Sequence, residues 1–296
     1  MDVVLNIADD YVLDKVWSYI VPLTTNATHW EPASNTTLTV SAWPRDYIPR
    51  QLVSLCTITL IGIHILYFAF AYASYKWIFN HDMMRHPRFL KNQVRLEIMT
   101  SLKAFPGMML LTLPWFQAEV MGYSRLYEGL DTYGYTYLVL SVPLFLLFTD
   151  YLVYWVHRIL HVPVFYKALH KPHHKWIIPT PFASHAFHPV DGYLQSIPYH
   201  LFVFIFPLHR ILYLILFVAV NFWTILIHDS DMITGHPLET LINGPAHHTL
   251  HHIYFTVNYG QYFTWADRAG NSYRQPEKHL DPLLEVQALG KEEKVE

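Results

Sequence analysis

The sequence has little charge and almost no cysteine. Only 15% of its 296 residues are charged, where about 25% is usual for soluble domains, and 52% are hydrophobic, which excludes a disordered chain. The single cysteine, Cys56, excludes a disulfide-stabilised scaffold, because a bridge needs two thiols. A net charge of −3 provides no basic excess for binding nucleic acid. The composition is therefore typical of a membrane protein.

Long apolar runs predict helices that cross a membrane. Three runs are long enough for a hydrocarbon core of about 30 Å: residues 52–75, 98–120 and 135–156. A fourth run, residues 193–227, is too long for one span and is interrupted by Pro207, His209 and Arg210. We expect it to form a helical hairpin that enters the membrane and returns, with a pair of interfacial helices as the alternative.

Basic residues predict the orientation of these spans. Only Arg125 is basic between the second and third spans, whereas five basic residues lie between the first and second: Lys76, Arg85, Arg88, Lys91 and Arg95. The positive-inside rule then makes the first loop cytosolic and the N-terminus lumenal. Glycosylation acceptor motifs at Asn26 and Asn35 agree with this orientation.

Histidine is abundant, and its placement is not random. The chain has 20 histidines, and 15 of them lie between His157 and His252. They form three clusters: HRILH at 157–161, HKPHH at 170–174 and HHTLHH at 247–252. Spacings of three or four residues place imidazoles on one face of a helix, one turn apart. Single histidines stand between the clusters, among them His185, His188 and His228.

The clusters predict a site for two metal ions. Neutral imidazole is a common ligand of Zn, Cu, Fe and Ni, and eight clustered imidazoles exceed what one tetrahedral zinc ion needs. The sequence has neither the Glu-rich pattern of carboxylate-bridged di-iron bundles nor the HExxH motif of zinc hydrolases. A pair of redox-active irons accounts best for the surplus of ligands. The clusters must then share one membrane face, which a hairpin at 193–227 permits.

The order of the three histidine clusters after membrane spans resembles the fatty acid hydroxylase and sterol desaturase superfamily. Longer runs resemble its sterol C5-desaturases, in particular those of vertebrates: HKPHHKWIIPTPFASHAFHPVDGYLQSIPYH, NGPAHHTLHHIYFTVNYGQYF and LKNQVRLE. The resemblance covers nearly the whole chain. One departure is that the family's Trp-Asp-Arg is here interrupted by an alanine, as Trp265-Ala266-Asp267-Arg268.

The resemblance implies an all-α fold, a multi-span membrane helix bundle with a cytosolic, histidine-rich di-metal cap. It implies two Fe ions, with the metal ligands His157, His161, His170, His173, His174, His188, His228, His248, His251 and His252. His247 is left open as a ligand or a neighbour of the ligands, and His185 is not counted among them. Nearby carboxylates are candidates to orient the imidazoles, or else ordinary interfacial residues: Asp150, Asp191, Asp229 and Asp267. We predict Asp191 and Asp229 as the catalytic carboxylates.

The resemblance also implies a reaction and its setting. The expected reaction introduces the C5–C6 double bond of the Δ7-sterol lathosterol, giving 7-dehydrocholesterol while O2 is reduced to water. Electrons would come from cytochrome b5 and NADH-cytochrome b5 reductase, or from NADPH, at the endoplasmic reticulum membrane. A C4-methylsterol oxidase or lipid hydroxylase of the same superfamily is an alternative. A histidine-rich metal transporter is the alternative from another class.

Four regions are predicted along the chain. They are a lumenal N-terminal segment at 1–50, transmembrane helices at 51–156, a catalytic domain with the membrane hairpin at 157–269 and a polar C-terminal tail at 270–296. The catalytic domain holds all three histidine clusters, so the candidate chemistry lies in the second half of the chain.

Overall fold

The computed structural model describes residues 1–24 and 39–292, and these are predominantly helical. The α-helices are α1 (Asp2–Ala8), α2 (Asp14–Ile20), α3 (Ile48–Trp77), α4 (Gln93–Val120), α5 (Gly134–Leu160), α6 (Pro163–Phe165), α7 (Pro189–Ile205), α8 (Arg210–Leu226), α9 (Pro245–Tyr254), α10 (Trp265–Ala269) and α11 (Leu283–Glu292). The acceptor motifs at Asn26 and Asn35 lie outside the described residues.

The remaining regular elements are short. Two π-helical turns are Asp9–Leu13 and Tyr166–His170, and the 3-10 turns are His81–Arg85, Leu130–Thr132, Pro181–His185, Pro237–Thr240 and Lys278–Leu280. The strands are β1 (Pro22–Thr24), antiparallel to β2 (Thr39–Ser41), and β3 (Leu126–Tyr127), parallel to β4 (Leu208–His209). The predicted all-α fold class is therefore confirmed.

Three helices are long and apolar enough to cross a membrane, namely α3, α4 and α5, with 30, 28 and 27 residues. Each contains one of the three predicted spans, which confirms those predictions. Pro106 and Pro114 lie inside α4 without ending it. Such prolines are tolerated in membrane helices because neighbouring groups satisfy the freed backbone atoms.

The fourth apolar run forms two helices that run out and back. α7 and α8 have 17 residues each, which is about 25 Å at 1.5 Å per residue and less than a full crossing. Asp191, in the first turn of α7, bonds to His170 at 2.8 Å. His228, just beyond α8, lies 3.4 Å from His173 between their Nε2 atoms. Both outer ends therefore meet the same histidine-rich region, as the hairpin prediction requires.

Two glycines within helices lie where α4 packs closely on α7. A Cβ atom on Gly107 would lie 2.7 Å from Cβ of Pro189, and one on Gly192 would lie 2.8 Å from Cε of Met108. Small residues allow membrane helices to approach this closely. The two helices consequently form one wall of the bundle beside the histidine clusters.

The C-terminal segment, predicted as a polar tail, contacts the rest of the chain. The backbone N–H of Asn258 donates to the carbonyl of Ser272 at 2.8 Å, which fixes the start of the segment to the histidine-rich cap. Further along, Val286 of α11 is buried, and Nε2 of His86 lies 3.1 Å from Glu285. The segment is polar in composition, but Val286 is buried and Leu283 packs against Phe79 and Met83 of the first loop.

Candidate metal centre

The histidine clusters occupy the ends of the membrane helices and the turns that follow them. His157 lies in the last turn of α5, and His161 follows directly after that helix. His170 ends a π-helical turn, which brings the second cluster back toward the first. α9 carries the third cluster, beginning at Pro245, whose missing N–H suits the first turn of a helix.

Nine imidazoles converge there in two groups. Within each group the candidate ligand atoms all lie within 4.8 Å of one another. Group A is His157, His161, His170, His174 and His251, and group B is His173, His228, His248 and His252. Nine of the ten histidines predicted as ligands are therefore brought together, and each group has the geometry to hold one metal ion.

Hydrogen bonds to the outer ring nitrogens orient several of these imidazoles. The Nδ1 atoms donate to backbone carbonyls: His157 to Tyr259 at 3.0 Å, His251 to Val257 at 2.7 Å and His228 to Thr224 at 2.6 Å. Nδ1 of His170 donates to the carboxylate of Asp191 at 2.8 Å. A neutral imidazole with Nδ1 protonated carries its lone pair on Nε2, so these rings direct lone pairs inward.

The inward nitrogens face one another at short distances, and in one pair neither nitrogen can donate a proton. The Nε2–Nε2 distances are 3.2 Å for His157 and His170, 3.1 Å for His174 and His251, and 3.0 Å for His228 and His248. His157 and His170 both use their ring proton at Nδ1, so neither has an Nε2–H to donate to the other. A bound metal ion resolves this repulsion, and the donor set therefore fits a metal centre.

Burial keeps the imidazoles ready to bind metal. Desolvation, followed by repulsion from neighbouring imidazoles, lowers the pKa values of His174, His248 and His251 well below their ordinary value. The same causes lower the pKa of His161. These side chains are neutral at physiological pH, which is the form that coordinates metal.

Two further buried carboxylates hold the loop that supplies the orienting carbonyls. Oδ1 of Asp150 accepts the N–H groups of Gln261, Tyr262 and Phe263 at 3.0, 2.7 and 3.3 Å. Asp267 accepts those of Tyr259 and Gly260 at 2.9 and 2.8 Å. The Tyr259 carbonyl that orients His157 is thereby fixed between two carboxylate anchors. Among the carboxylates predicted to orient imidazoles, only Asp191 contacts a ring directly within the described residues.

The displaced tryptophan does not disturb this anchor. Trp265 is 41% exposed and stacks on Tyr151 with ring centroids 5.5 Å apart. Asp267 remains fully buried on the opposite side of α10 and also accepts a hydrogen bond from Ser272 at 2.8 Å. The shifted position of Trp265 therefore leaves the loop-binding role of the Asp267 carboxylate in place.

Four predicted or open residues lie outside the two imidazole groups. His188 caps α7, because its Nδ1 accepts the N–H of Val190 at 3.3 Å, and its prediction as a ligand is not supported by this geometry. His247 similarly caps α9 through the N–H of Gly244. Burial raises the pKa of Asp229 to about 7, and its Oδ1 accepts the N–H of Asp231 at 2.9 Å. His185, not counted as a ligand, lies 3.2 Å from Asn221.

A cavity of about 480 Å³ reaches the metal centre from within the membrane helices. Its inner end is lined by imidazoles of both groups: His157, His173, His228 and His248. The remainder is largely apolar and includes Ile58, Ile63, Leu66, Phe105, Met109 and Phe116. A volume of this size lies in the range of about 300–1,000 Å³ that is usual for small-ligand sites.

Most of the cavity wall carries no functional signal in the sequence. No residue of α3 or α4 is among the predicted site residues, yet Gly62, Leu66 and Met108 of these helices line the cavity. Glycines inside apolar runs were the available signal, since they mark places where helices or ligands approach a backbone closely. Such glycines do not identify their partner, so the cavity followed only from the packed bundle.

Comparisons with known proteins agree with this site. The model of the family described as "Fatty acid hydroxylase" matches residues 142–272, which contain both imidazole groups. A Delta(7)-sterol 5(6)-desaturase of Gibberella zeae is 50% identical over 97% of this chain and 93% of its own length. Lathosterol oxidase of Homo sapiens is 50% identical over 93% of this chain and 86% of its own length. No solved structure matches the chain.

These relatives extend over almost the entire chain, including the apolar helices that line the cavity. The family model covers the part in which every grouped histidine lies. An all-α membrane bundle, two imidazole groups at one end and this similarity agree with one another. The chain belongs to the sterol desaturases of the fatty acid hydroxylase family.

Proposed function

We propose that this protein introduces the C5–C6 double bond of a Δ7-sterol, converting lathosterol to 7-dehydrocholesterol. In this reaction two neighbouring hydrogens leave the sterol, and O2, two electrons and two protons complete the formation of two water molecules. The observation that carries the proposal is one apolar cavity that ends at both imidazole groups. Relatives that are 50% identical are a Delta(7)-sterol 5(6)-desaturase and a lathosterol oxidase, which supports the sterol as substrate.

The metal ions are proposed to be two irons, one in each imidazole group. An unactivated C–H bond resists acid–base chemistry, and bound iron would supply the strong oxidant that O2 and two electrons make available. The chain's own residues do the remaining work. Imidazole Nε2 atoms hold the ions, Asp191 and the Tyr259 carbonyl orient two of the rings, and the apolar lining binds the sterol and excludes water.

The proposed location is the endoplasmic reticulum membrane, with the metal centre on the cytosolic side. Gln93 and Glu97, in the first turns of α4, bond to Ile178 and Thr180, which lie close after the second histidine cluster. The basic loop before α4 is thus on the same face as the metal centre. The positive-inside rule assigns that face to the cytosol.

Cytochrome b5 is the proposed electron donor, and the basic loop is its proposed docking surface. Arg85, Arg88 and Lys91 are exposed. Reversing their charge to Glu is expected to slow reduction by cytochrome b5 by about tenfold at low salt, because electrostatic steering chiefly changes association rates. Stopped-flow reduction at several salt concentrations measures this effect.

The control is Lys15→Glu, a charge reversal at an exposed residue on the opposite face. Equal rates of reduction in the control and in the loop variant would contradict the docking surface.

Reconstitution tests the proposed reaction. The purified protein in lipid vesicles, with cytochrome b5, its reductase and NADH, is expected to convert lathosterol to a product with conjugated-diene absorbance, in proportion to O2 consumed. A 4-methylsterol offered in parallel is the control, since its oxidation would indicate a C4-methylsterol oxidase. Hydroxylated product without a diene, or metal uptake with no O2-dependent turnover, would contradict the proposal.

A further inference from the structure

The inner end of the cavity carries a pair of polar side chains with unused hydrogen-bonding capacity. Thr224 and Gln261 both line the cavity, and Nε2 of Gln261 donates to Oγ1 of Thr224 at 2.8 Å. Within the described residues, the hydroxyl proton of Thr224 has no acceptor and Oε1 of Gln261 has no donor. Together the pair offers one donor and one acceptor to a ligand.

Both members of the pair are held in place by the elements that orient the metal ligands. The carbonyl of Thr224 accepts Nδ1–H of His228, one helical turn further along the chain. The N–H of Gln261 donates to Asp150 at 3.0 Å, and its carbonyl accepts Nε1–H of Trp223 at 2.7 Å. The pair is therefore positioned beside the metal centre by the backbone that builds it.

Neighbouring polar side chains in the cavity are already committed. The hydroxyl of Ser196 donates to the carbonyl of Tyr193 at 2.7 Å. Oδ1 of Asn221 is held by His185 at 3.2 Å, and its Nδ2 donates to the carbonyl of Phe217 at 2.8 Å. Asn221 also lies one turn further from His228 than Thr224 does. The hydroxyl proton of Ser196 and both polar groups of Asn221 are thus engaged, as is Nε2 of Gln195, which donates to Asp191 at 2.9 Å.

A bound sterol needs one hydrogen-bond donor and one acceptor near the metal centre. The 3-hydroxyl is the one polar group of a Δ7-sterol, and only C4 separates the carbon that bears it from C5. A sterol whose C5–C6 bond faces the metal centre must place its hydroxyl at the same end of the cavity. A buried hydroxyl there needs one donor and one acceptor, because an unsatisfied polar group is costly.

We infer that Thr224 and Gln261 bind the 3-hydroxyl of the sterol, in an orientation that leaves the alkyl tail toward Phe116 and His200. The hydroxyl oxygen accepts from Oγ1–H of Thr224, and its proton is donated to Oε1 of Gln261. The inference rests on the proposed function for the identity of the substrate. It assigns specificity to two residues that hold the sterol and do not hold metal.

The test compares lathosterol with its 3-deoxy analogue, 5α-cholest-7-ene. Binding to the purified holoenzyme is measured by competition against radiolabelled lathosterol, and turnover is measured for both sterols. The wild-type protein is expected to prefer lathosterol. Thr224→Val and Gln261→Leu are each expected to reduce that preference by about 10- to 100-fold, through weaker binding of lathosterol alone. Thr224→Ser retains the hydroxyl and should retain the preference.

Thr112→Val is the matched control, because Thr112 lines the cavity one turn before Phe116, away from the metal centre. Its preference for lathosterol over the 3-deoxy sterol should stay at the wild-type value, whatever its rate. The inference is overturned if the wild-type protein does not discriminate, or if Thr224→Val and Gln261→Leu weaken both sterols equally. Preference in binding without desaturation would instead contradict the proposed function and leave the hydroxyl site supported.

Discussion

Replacement of one imidazole in either group is expected to abolish desaturation. His251→Ala removes a ligand from group A, and His173→Ala removes one from group B. Changing an outer partner of a metal ligand typically costs about 10- to 100-fold, so loss of the ligand itself should lower turnover by at least about 100-fold. Each variant should also lose metal from its own group, which reduces the metal-to-protein ratio measured by mass spectrometry.

A histidine outside the groups provides the control for these variants. His279 contacts Glu277 on the surface and has no part in the metal centre. His279→Ala should therefore retain turnover and metal content. Wild-type metal content in either His173→Ala or His251→Ala would contradict the assignment of that ligand, and wild-type turnover in either variant would contradict a dependence of the chemistry on both groups.

Replacement of Asp191 by asparagine is expected to lower turnover by about 10- to 100-fold. Both oxygens of this buried carboxylate accept hydrogen bonds, from Nδ1 of His170 at 2.8 Å and from Nε2 of Gln195 at 2.9 Å. Asparagine has one oxygen, so its amide N–H must face one of these donors. If it faces His170, the ring proton moves to Nε2 and the lone pair that coordinates metal is lost.

The Asp229→Asn variant tests whether a buried carboxylate must bond to a metal-binding imidazole or need only lie near one. Asp229 is predicted together with Asp191 as a catalytic carboxylate, but within the described residues its side chain accepts the N–H of Asp231 and has no hydrogen bond to an imidazole. Its substitution should leave metal content unchanged and reduce turnover less than Asp191→Asn does. Equal losses of metal in the two variants would contradict the positioning role assigned to the Asp191–His170 contact.

Patterns of apolar and histidine residues were sufficient to predict the spans and the chemical type of the site. The prediction succeeded because a membrane helix needs a long apolar run, and because spacings of three and four residues align ligands on helices. The hairpin followed from connectivity, since clusters before and after residues 193–227 must share a face. Each of these predictions depends on local periodicity or on chain order, which a sequence contains.

Tertiary contacts add what a local pattern does not contain. His188 resembles a ligand by its position before Pro189, but its Nδ1 caps α7 and its ring lies outside both groups. The C-terminal segment is polar, yet it contributes Ser272 to the cap and buries Val286. In both cases the alternative partner is a backbone group or an apolar surface that is identified only once the chain has folded.

The sequence by itself determined that the chain is a membrane protein with an imidazole-rich metal site. Only the tertiary structure decided how those imidazoles divide, and the neighbours His173 and His174 illustrate this, because they belong to different groups. Adjacent side chains on a turn point in different directions, and the partners each one meets come from α5, α9 and the end of α8. The cavity likewise exists only between packed helices, so its wall and its hydroxyl-binding pair could not be predicted from residue spacing.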